Sequence, residues 1–435
     1  MAHSNLPIFR TLLGLLVIAL PAAAQLDRTE RVIVAAVDDS MASAHALLEE
    51  TVNVNSGTMN FAGVRAVGDL MAPGFEALGF NVTWYDGKPF GRAGHLLAER
   101  DGDGPRVLLI GHLDTVFEPD SPFQKYERDG DEAAGPGTTD MKGGNIVMLH
   151  ALQALAEAKV LDRLSVRVVI AGDEEKRGRP LDVATAPIVD GARWADVAIG
   201  FEDGDGNPET AVISRRGASG WQLEVTGRPA HSSQIFRDGY GFGAVFEAAR
   251  ILDGFREALA SVPNLTFNPG VIVGGTEVSL DREQARGDAY GKSNVIAETV
   301  LVQGDIRALS QEQLQGAKAT MAEIASTSLP ETAARLTFDD GYPPMAPTDG
   351  NRALLAIYDQ ASRDLGFGPV APVDPRKAGA ADISFAADHV AMAMDGIGLM
   401  GRGGHTVDEV ADLTTFDRQI KRAALLLYRL SQRAP

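Results

Sequence analysis

Short hydrophobic runs alternate with helix-period stretches in the first half of the chain, and this alternation restricts the fold more than any other feature. Residues 106–111, 165–172 and 196–202 are typical of buried strands, and residues 145–159 follow a helical period. Strands joined through helices form a mostly parallel sheet with helices on both faces. Ligands of such a sheet bind at the carboxyl ends of the strands, where we therefore expect a functional site.

The pattern changes after about residue 214 and predicts a smaller inserted domain. Two strand–helix–strand units follow, with strands at residues 217–226, 265–274, 294–308 and 335–340 and helices at 242–259 and 310–326, the last with Ser310 as its N-cap. Later stretches return to the first domain, at residues 351–365, 381–394 and 415–432. The prediction is an α/β domain of residues 25–213 and 346–435, interrupted by an α/β sandwich of residues 214–345.

The first 24 residues predict export as a signal peptide. Arg10 precedes an apolar run from Thr11 to Pro21, and Ala22, Ala23 and Ala24 form the small-residue pattern that a signal peptidase cuts, here before Gln25. The run has about half of the roughly 20 apolar residues that a membrane-spanning helix needs. We expect a periplasmic or secreted mature protein without a stable membrane span.

Charge and composition exclude several classes of protein. Forty lysines and arginines stand against 59 aspartates and glutamates, and the net charge of −19 argues against nucleic acid as a partner because it repels phosphate. Hydrophobic residues make up 45% of the 435, which is enough for a folded core. The chain has no cysteine, so a metal would have to be bound by histidine and carboxylate.

Histidines and carboxylates follow the predicted strands. His112 and Asp114, in GHLDT, are two residues apart and lie on the same side of an extended segment, so that one can bind a metal while the other orients its ring. The other candidates are Asp140 in GPGTTDMKGG, Glu174 and Glu175 in the triplet that begins at Asp173, Glu202 and Asp203 in GFEDGDG, and His405 in GRGGHTVDE.

Each candidate alone has an ordinary structural explanation, such as a solvated turn or a carboxylate at a helix N-terminus. The glycine-rich loop lacks the G-K-[ST] of a phosphate loop, and Pro208 stands where an EF-hand requires glycine. Together, the two histidines and the carboxylates suit zinc, with cobalt or manganese as possible substitutes. Five ligands, one of them bridging, are enough for two ions, and a spare carboxylate is available as general base.

These residues occur in motifs that resemble the co-catalytic zinc exopeptidases, a family that includes bacterial glutamate carboxypeptidase, aminoacylase and succinyl-diaminopimelate desuccinylase. The motifs GHLDT, GPGTTDMKGG, GDEE, GFED, GRPAHSS, SNVIA, GDIRA and DGIGLMGRGGHTVDE occur in the family's order between about residues 108 and 410. The similarity is greatest to the glutamate carboxypeptidase branch. It implies a catalytic domain with two Zn²⁺ per subunit and an inserted lid or dimerisation domain.

The resemblance also implies a role for each matched residue. Among the metal ligands, Asp140 bridges both ions, one of which is also bound by His112 and Glu202 and the other by Glu175 and His405. Glu174 matches the general base, and Asp114 matches the residue that orients the first histidine. In the lid, His231 matches the histidine that stabilises the oxyanion, often across a dimer, while Arg307 and Asn294 match residues that hold the substrate's carboxylate.

The sequence departs from the family's pattern at two places. Asp203 follows Glu202 where the carboxypeptidase members have proline, which leaves open which of the two binds metal, although the alignment favours Glu202. Lys176, Arg177 and Gly178 replace small residues after the acidic pair. The two added cations are either solvated or alter the substrate preference.

The activity that the resemblance implies is release of an amino acid from a dipeptide or an N-acyl amino acid with a free carboxylate. Activated water attacks the amide, and Glu174 moves the proton to the leaving nitrogen. One alternative is an N-acyl amino acid deacylase or desuccinylase. Another is a non-catalytic periplasmic solute-binding protein, which would not need a metal. A lid histidine that acts across an interface implies a homodimer.

Overall fold

The computed structural model describes residues 26–281 and 286–433, so the predicted signal peptide, residues 1–24, lies outside the described residues. The helices are α1 (Arg28–Val52), α2 (Phe61–Ala77), α3 (Lys142–Glu157), α4 (Leu181–Ala184), α5 (Ala186–Trp194), α6 (Gly243–Leu259), α7 (Gln311–Ser326), α8 (Asp349–Asp364), α9 (Ile383–Ala387) and α10 (Phe416–Ser431).

The strands of the first half are β1 (Asn81–Asp86), β2 (Gly94–Arg100), β3 (Arg106–His112), β4 (Glu127–Asp129), β5 (Glu132–Ala134), β6 (Ser165–Ala171), β7 (Val197–Gly200) and β8 (Thr210–Ala211). Those of the second half are β9 (Ala218–Gly227), β10 (Thr266–Gly275), β11 (Glu277–Asp281), β12 (Arg286–Tyr290), β13 (Thr299–Arg307), β14 (Thr332–Tyr342), β15 (Ala371–Pro372), β16 (Met392–Met394), β17 (Gly401–Arg402) and β18 (Val410–Asp412).

Within the described ranges, a six-stranded sheet in the order β1-β2-β6-β3-β7-β16 organises the larger part of the chain. Its strands β6, β3, β7 and β16 are parallel, whereas β1 and β2 extend it antiparallel at one edge. Along β3, Val107 and Leu109 belong to a hydrophobic cluster that includes residues of α1, α2, α3, α8 and α10. Leu108 and Ile110 belong to a second cluster, which includes residues of α5 and α9. Burial on both faces explains the nearly continuous hydrophobic run that predicted this strand.

The carboxyl ends of the four parallel strands lie at one edge of the sheet. β3 ends at His112, β6 at Ala171 and β7 at Gly200, so the acidic motifs that follow β6 and β7 start beside His112. A smaller sheet in the order β17-β18-β5-β4 brings distant residues to the same place. Val410 in β18 pairs with Ala134 in β5, and this pairing aligns the loop that carries His405 with the loop that carries Asp140.

A second, antiparallel sheet in the order β10-β13-β9-β14 has its own core. Trp221, Leu223 and Val225 alternate along β9 on the face covered by α6 and α7. The expected four strands and two helices are present. The structure differs from the prediction in two ways. β13 begins at Thr299 rather than at residue 294, and a hairpin, β11–β12, lies between β10 and β13 in the sequence.

Two chain segments that connect this sheet to the rest of the protein lie side by side. The backbone N–H of Arg215 donates to the carbonyl of Met345, and the N–H of Met345 donates to the carbonyl of Arg215, each over 2.9 Å. The Arg215 guanidinium pairs with the buried Asp395, which follows β16. Among the described residues, no helix is long and apolar enough to cross a membrane.

Candidate metal centre

The first candidate ligand group forms where β3 ends. His112 Nε2 lies 3.0 Å from Asp140 Oδ1 and 3.6 Å from Glu202 Oε1. The other ring nitrogen, Nδ1, is 2.9 Å from the backbone carbonyl of Asp114 and 3.5 Å from its carboxylate. A hydrogen bond at Nδ1 fixes the ring, as is usual for metal-binding histidines, and leaves Nε2 facing the two carboxylates.

The second candidate group shares Asp140 with the first. His405 Nε2 lies 2.9 Å from Asp140 Oδ2 and 3.0 Å from Glu175 Oε2. In each group, the imidazole nitrogen and the two carboxylate oxygens are all within 4.8 Å of one another. Nitrogen and oxygen donors in this arrangement fit a divalent ion such as zinc. Because Asp140 offers one oxygen to each histidine, its carboxylate has the geometry of a bridge between two ions.

The loop that carries Asp140 is held by a residue that the sequence analysis did not single out. The buried carboxylate of Glu409 accepts hydrogen bonds from the backbone N–H groups of Gly137 and Thr139, at 3.1 and 2.9 Å, and from that of Asp140 at 3.3 Å. Its position in GRGGHTVDE, four residues after His405, was the available signal. Glu409 therefore positions the shared carboxylate from the end of the His405 loop, immediately before β18.

Asp114 has more contacts than the expected one with the imidazole. Its carboxylate accepts the backbone N–H of Glu174 at 3.0 Å and that of Glu175 at 3.1 Å, and it also accepts the Thr58 hydroxyl at 2.6 Å. Asp114 is completely buried. It therefore fixes the main chain of the acidic pair as well as the His112 ring.

The two histidines and the carboxylates around them shift one another's pKa. Burial opposes protonation of His112, but the charge of Glu202 and hydrogen bonds to carboxylates raise its pKa well above the ordinary value. Hydrogen bonds to Asp140 and Glu175 raise the pKa of His405 to about 11. Burial raises the pKa of Glu174. A metal ion has to displace protons from both imidazoles, so metal affinity is expected to fall as the pH falls.

The two groups open into a cavity of about 280 Å³. Its wall contains small residues that leave space beside the acidic side chains; the lining residues are Asp140, Glu174, Glu202, Asp203, Gly204, Arg215, Gly379, Ala380, Ala381, Gly404 and His405. Glu202 and Asp203 both line the wall, but only Glu202 is in the ligand group with His112. Burial, together with the charges of Asp140 and Glu409, raises the pKa of Asp203 to about 7.

Three further candidates lie in the part of the chain that forms the second sheet and its connections, and they do not line this cavity in the described chain. His231 and Asn294 are both exposed and are close to each other, since the N–H of Ser232 donates to the Asn294 carbonyl at 2.9 Å. Arg307 ends β13, whereas Asn294 precedes the start of that strand. Nine residues of strand span about 26 Å, so the structure does not bring Arg307 together with Asn294 within one chain.

Arg307 has cationic neighbours that the sequence analysis missed. Arg216 donates from Nη1 to the Thr266 hydroxyl at 2.9 Å, and Thr266 pairs with Arg307 across the sheet. Burial lowers the pKa of Arg216, and the charges of Arg307 and Arg376 lower it further. The SRRG sequence before β9 was the signal, although it reads equally well as a solvated turn. The guanidinium groups near the linkers form a region suited to an anionic group.

The two cations after the acidic pair differ in environment. Lys176 is exposed, as the solvated alternative requires. The Arg177 side chain is only 8% exposed and forms ion pairs with Asp173 and Asp382. Arg177 is therefore not a solvated cation, and it does not line the cavity. It is part of the protein interior next to the turn that carries Glu174.

Comparisons with known proteins find relatives in sequence. The sequence profile of peptidase family M20/M25/M40 matches residues 108–433. Carboxypeptidase G2 from Pseudomonas sp. strain RS-16 is 28% identical over 417 residues, which are 93% of this chain and 93% of the relative.

Two solved structures illustrate the similarity in fold. Aminopeptidase PepT from Bacillus cereus has a TM-score of 0.69 at 19% identity, over 89% of this chain and 98% of its own. The Bacillus subtilis YXEP protein, described as a dinuclear metal-binding peptidase of the M20 family, has a TM-score of 0.60 at 14% identity, over 90% of this chain and 99% of its own.

Proposed function

The chain belongs to peptidase family M20/M25/M40, and from that premise we propose that it is a dizinc exopeptidase of the carboxypeptidase type. It releases an amino acid from a dipeptide or an N-acyl amino acid that has a free carboxylate. The observation that carries the proposal is the shared carboxylate of Asp140, which is 3.0 Å from His112 Nε2 through one oxygen and 2.9 Å from His405 Nε2 through the other.

The ligands we assign are His112, Asp140 and Glu202 for one ion and Asp140, Glu175 and His405 for the other. When bound, two zinc ions acidify a water molecule and polarise the substrate's carbonyl. Glu174 accepts the proton of the attacking water and delivers it to the leaving nitrogen. Its position in the cavity wall gives it access to the reacting water, and burial raises its pKa, which makes the carboxylate a better proton acceptor. Asp114 fixes the main chain of Glu174 and the orientation of the His112 ring relative to each other.

We assign recognition of the substrate's carboxylate to Arg307, helped by Arg216. A guanidinium binds a carboxylate through two parallel hydrogen bonds, and both arginines lie near the linkers between the two sheets. Binding of the free carboxylate in this way limits cleavage to the amide nearest to it. This is the basis for proposing exopeptidase action.

His231 and Asn294 complete the site from a second copy of the chain in this proposal. Both are exposed at the end of the second sheet opposite to Arg307. A histidine donor at the developing oxyanion stabilises the transition state. The proposal therefore includes a homodimer, with residues 214–345 as the lid and dimerisation domain and residues 25–213 and 346–435 as the catalytic domain. The separate core of the second sheet supports this division.

We propose export to the periplasm or the outside of the cell, with the signal peptide removed before Gln25. The start of α1 at Arg28, shortly after that site, is compatible with such a mature protein. The family match does not favour the non-catalytic solute-binding alternative. An N-acyl amino acid deacylase remains a second candidate, because the same ligands and base would serve it.

The test is hydrolysis of a substrate panel by the purified mature protein with zinc. The panel contains dipeptides, the same dipeptides amidated at the C-terminus, and N-acetyl and N-succinyl amino acids. We expect chelator-sensitive release of amino acid, and loss of cleavage when the terminal carboxylate is amidated. Preference for N-acyl amino acids over dipeptides would favour the deacylase. No hydrolysis of any member in spite of bound zinc would contradict the proposal.

A further inference from the structure

The main chain of Glu174 is held at both ends of the residue. Its N–H donates to Asp114 Oδ1 at 3.0 Å, and its carbonyl accepts the hydroxyl of Tyr342 at 2.7 Å. Tyr342 is the last residue of β14, the strand by which the second sheet returns to the larger part of the chain. The peptide of the proposed general base therefore hydrogen-bonds directly to the inserted sheet.

Arg177 connects the same tyrosine to the loop that follows Glu174. Its Nη2 donates to the Tyr342 hydroxyl at 2.9 Å, and the guanidinium lies over the rings of Tyr342 and Phe385, 5.3 and 5.7 Å from their centroids. Its ion pairs reach Asp173, immediately before the base, and Asp382, immediately before α9.

These groups are buried, so each depends on its partners. Asp173 is completely buried and the side chain of Asp382 is 3% exposed. Asp173 also accepts the N–H of Gly178 at 2.9 Å, so Arg177 and Asp173 close the turn around the acidic pair from both sides. A buried guanidinium that loses one carboxylate partner leaves the other charges uncompensated, which is strongly unfavourable. The turn is therefore stable in the position that Arg177 and Tyr342 define.

We propose that Arg177 and Tyr342 are positioning residues that tie the general base to the inserted sheet. This inference rests on the proposed function, since it assigns to Glu174 the role of base. Tyr342 sits three residues before Met345, which pairs with Arg215 where the two connecting segments meet. Movement of the second sheet about that pair changes the position of the Tyr342 hydroxyl. The base is then correctly placed only when β14 lies against the turn that follows β6.

The test compares kcat, KM and bound metal for the Tyr342→Phe and Arg177→Lys variants. Tyr342→Phe removes the hydroxyl but keeps the ring beside Phe385 and Arg177. We expect kcat to fall by about tenfold or more, because a base displaced by a fraction of an ångström transfers protons poorly, while KM stays within about twofold. Bound metal should not change, because neither residue is in the ligand groups.

Matched controls separate positioning from a general loss of stability. Tyr428→Phe removes a hydroxyl that donates to Asp27 between α10 and α1, and Arg422→Lys alters a buried arginine that lies over the rings of Tyr358 and Phe367. Both controls should keep kcat. If Arg177→Lys fails to fold, Tyr342→Phe still decides the question.

Two results distinguish this inference from the proposed function. An unchanged kcat in Tyr342→Phe, with active wild-type protein and inactive Glu174→Gln, would overturn the positioning role alone. A parallel fall of kcat in the control variants would also overturn it, because the loss would then follow stability. Wild-type protein that hydrolyses no substrate, or a fully active Glu174→Gln variant, would overturn the proposed function and this inference with it.

Discussion

Asp140 is the side chain on which the candidate site depends, because both histidines contact it and each uses a different oxygen. Its position is fixed by the three backbone N–H groups bound to Glu409. His405 opposite it has a backbone φ of 64°, in the left-handed region that non-glycine residues seldom adopt. Such a conformation costs of the order of 1 kcal/mol and is typical of functional positions.

The role of the base gives the first prediction. Glu174→Gln keeps the size of the side chain but removes its proton acceptor, so turnover should fall by about a thousandfold or more. Bound metal should stay at the wild-type level, because Glu174 is in neither ligand group. The measurement is kcat with metal analysis of the same sample. Glu224→Gln, which changes an exposed partner of Arg335, is the control, and normal turnover in Glu174→Gln would refute the assignment.

A second prediction separates the two acidic residues after β7. Both residues line the cavity, but Glu202 Oε1 lies 3.6 Å from His112 Nε2, whereas Asp203 is in neither ligand group. Glu202→Gln removes an anionic ligand and should weaken binding of one ion, while Asp203→Asn should retain both. Metal content after dialysis against a weak chelator checks this. Loss of an ion from Asp203→Asn alone would reverse the assignment.

At this scale the sequence predicted the residues that come together through one sheet edge. His112 ends one parallel strand and Glu175 and Glu202 follow two others, and the rule for ligand sites in such sheets predicted that they come together. Glu409 and Tyr342 were not predicted, because their partners are backbone groups far away in the sequence and a lone glutamate or tyrosine carries no pattern. At Arg177 the sequence showed only that a cation replaces the small residue of the family's pattern, and it did not show that this cation is buried.

Among the elements, the parallel strands were predictable because burial on both faces produces a continuous hydrophobic run. The hairpin β11–β12 was missed because β11 alternates over only five residues and β12 is exposed throughout, so the hydrophobic signal is too short to identify a strand pair. The contact between His405 and Asp140 depends on the pairing of β18 with β5, a register that no local signal specifies. Only the resemblance to a family connected these two residues in advance.

Helix α3 gives a prediction about stability and pH. His150 on this helix is 2% exposed, its Nδ1 lies 3.1 Å from the Ser40 hydroxyl on α1, and burial lowers its pKa to about 4. In the unfolded chain the imidazole has its ordinary pKa of about 6.5, so the unfolded state takes up the proton first as the pH falls. His150 therefore contributes stability above about pH 6.5 that is lost towards pH 4.

The measurement is urea unfolding of wild-type protein and His150→Gln at pH 7.5 and at pH 5. Between these values the wild type should lose about 2 kcal/mol of unfolding free energy that the variant does not lose. Other titrating groups are common to both proteins, so the difference isolates His150. Equal losses in both proteins would mean that the buried imidazole takes up its proton in the folded state as readily as in the unfolded one.

At the scale of the whole molecule, the second sheet and the helix, hairpin and loop around it expose apolar side chains that a single chain leaves in water. The residues are Phe236, Val245, Phe246, Ile272 and Tyr290, each between 51% and 59% exposed. Phe236 and Phe246 also contact each other, with ring centroids 5.5 Å apart. An apolar surface of this kind is typical of a contact with another protein.

The homodimer prediction follows from this surface. Phe246→Glu introduces a charge there, and its molar mass by light scattering should be about half that of the wild type. Activity should fall in parallel, because His231 and Asn294 of a second copy would no longer be supplied. Val32→Glu changes a similarly exposed apolar residue on α1 and should remain dimeric. A monomeric and fully active wild type would contradict the proposal.

The central claim is that two metal ions held around Asp140 are required for hydrolysis. The most direct measurement is a zinc titration of chelator-stripped protein, with hydrolysis of the best dipeptide and bound zinc followed in the same samples. We predict negligible activity without zinc and an activity that rises until about two zinc ions are bound per chain. In Asp140→Asn, fewer zinc ions should be bound at the end of the titration. Full activity of the stripped protein, or an Asp140→Asn titration identical to that of the wild type, would contradict the account.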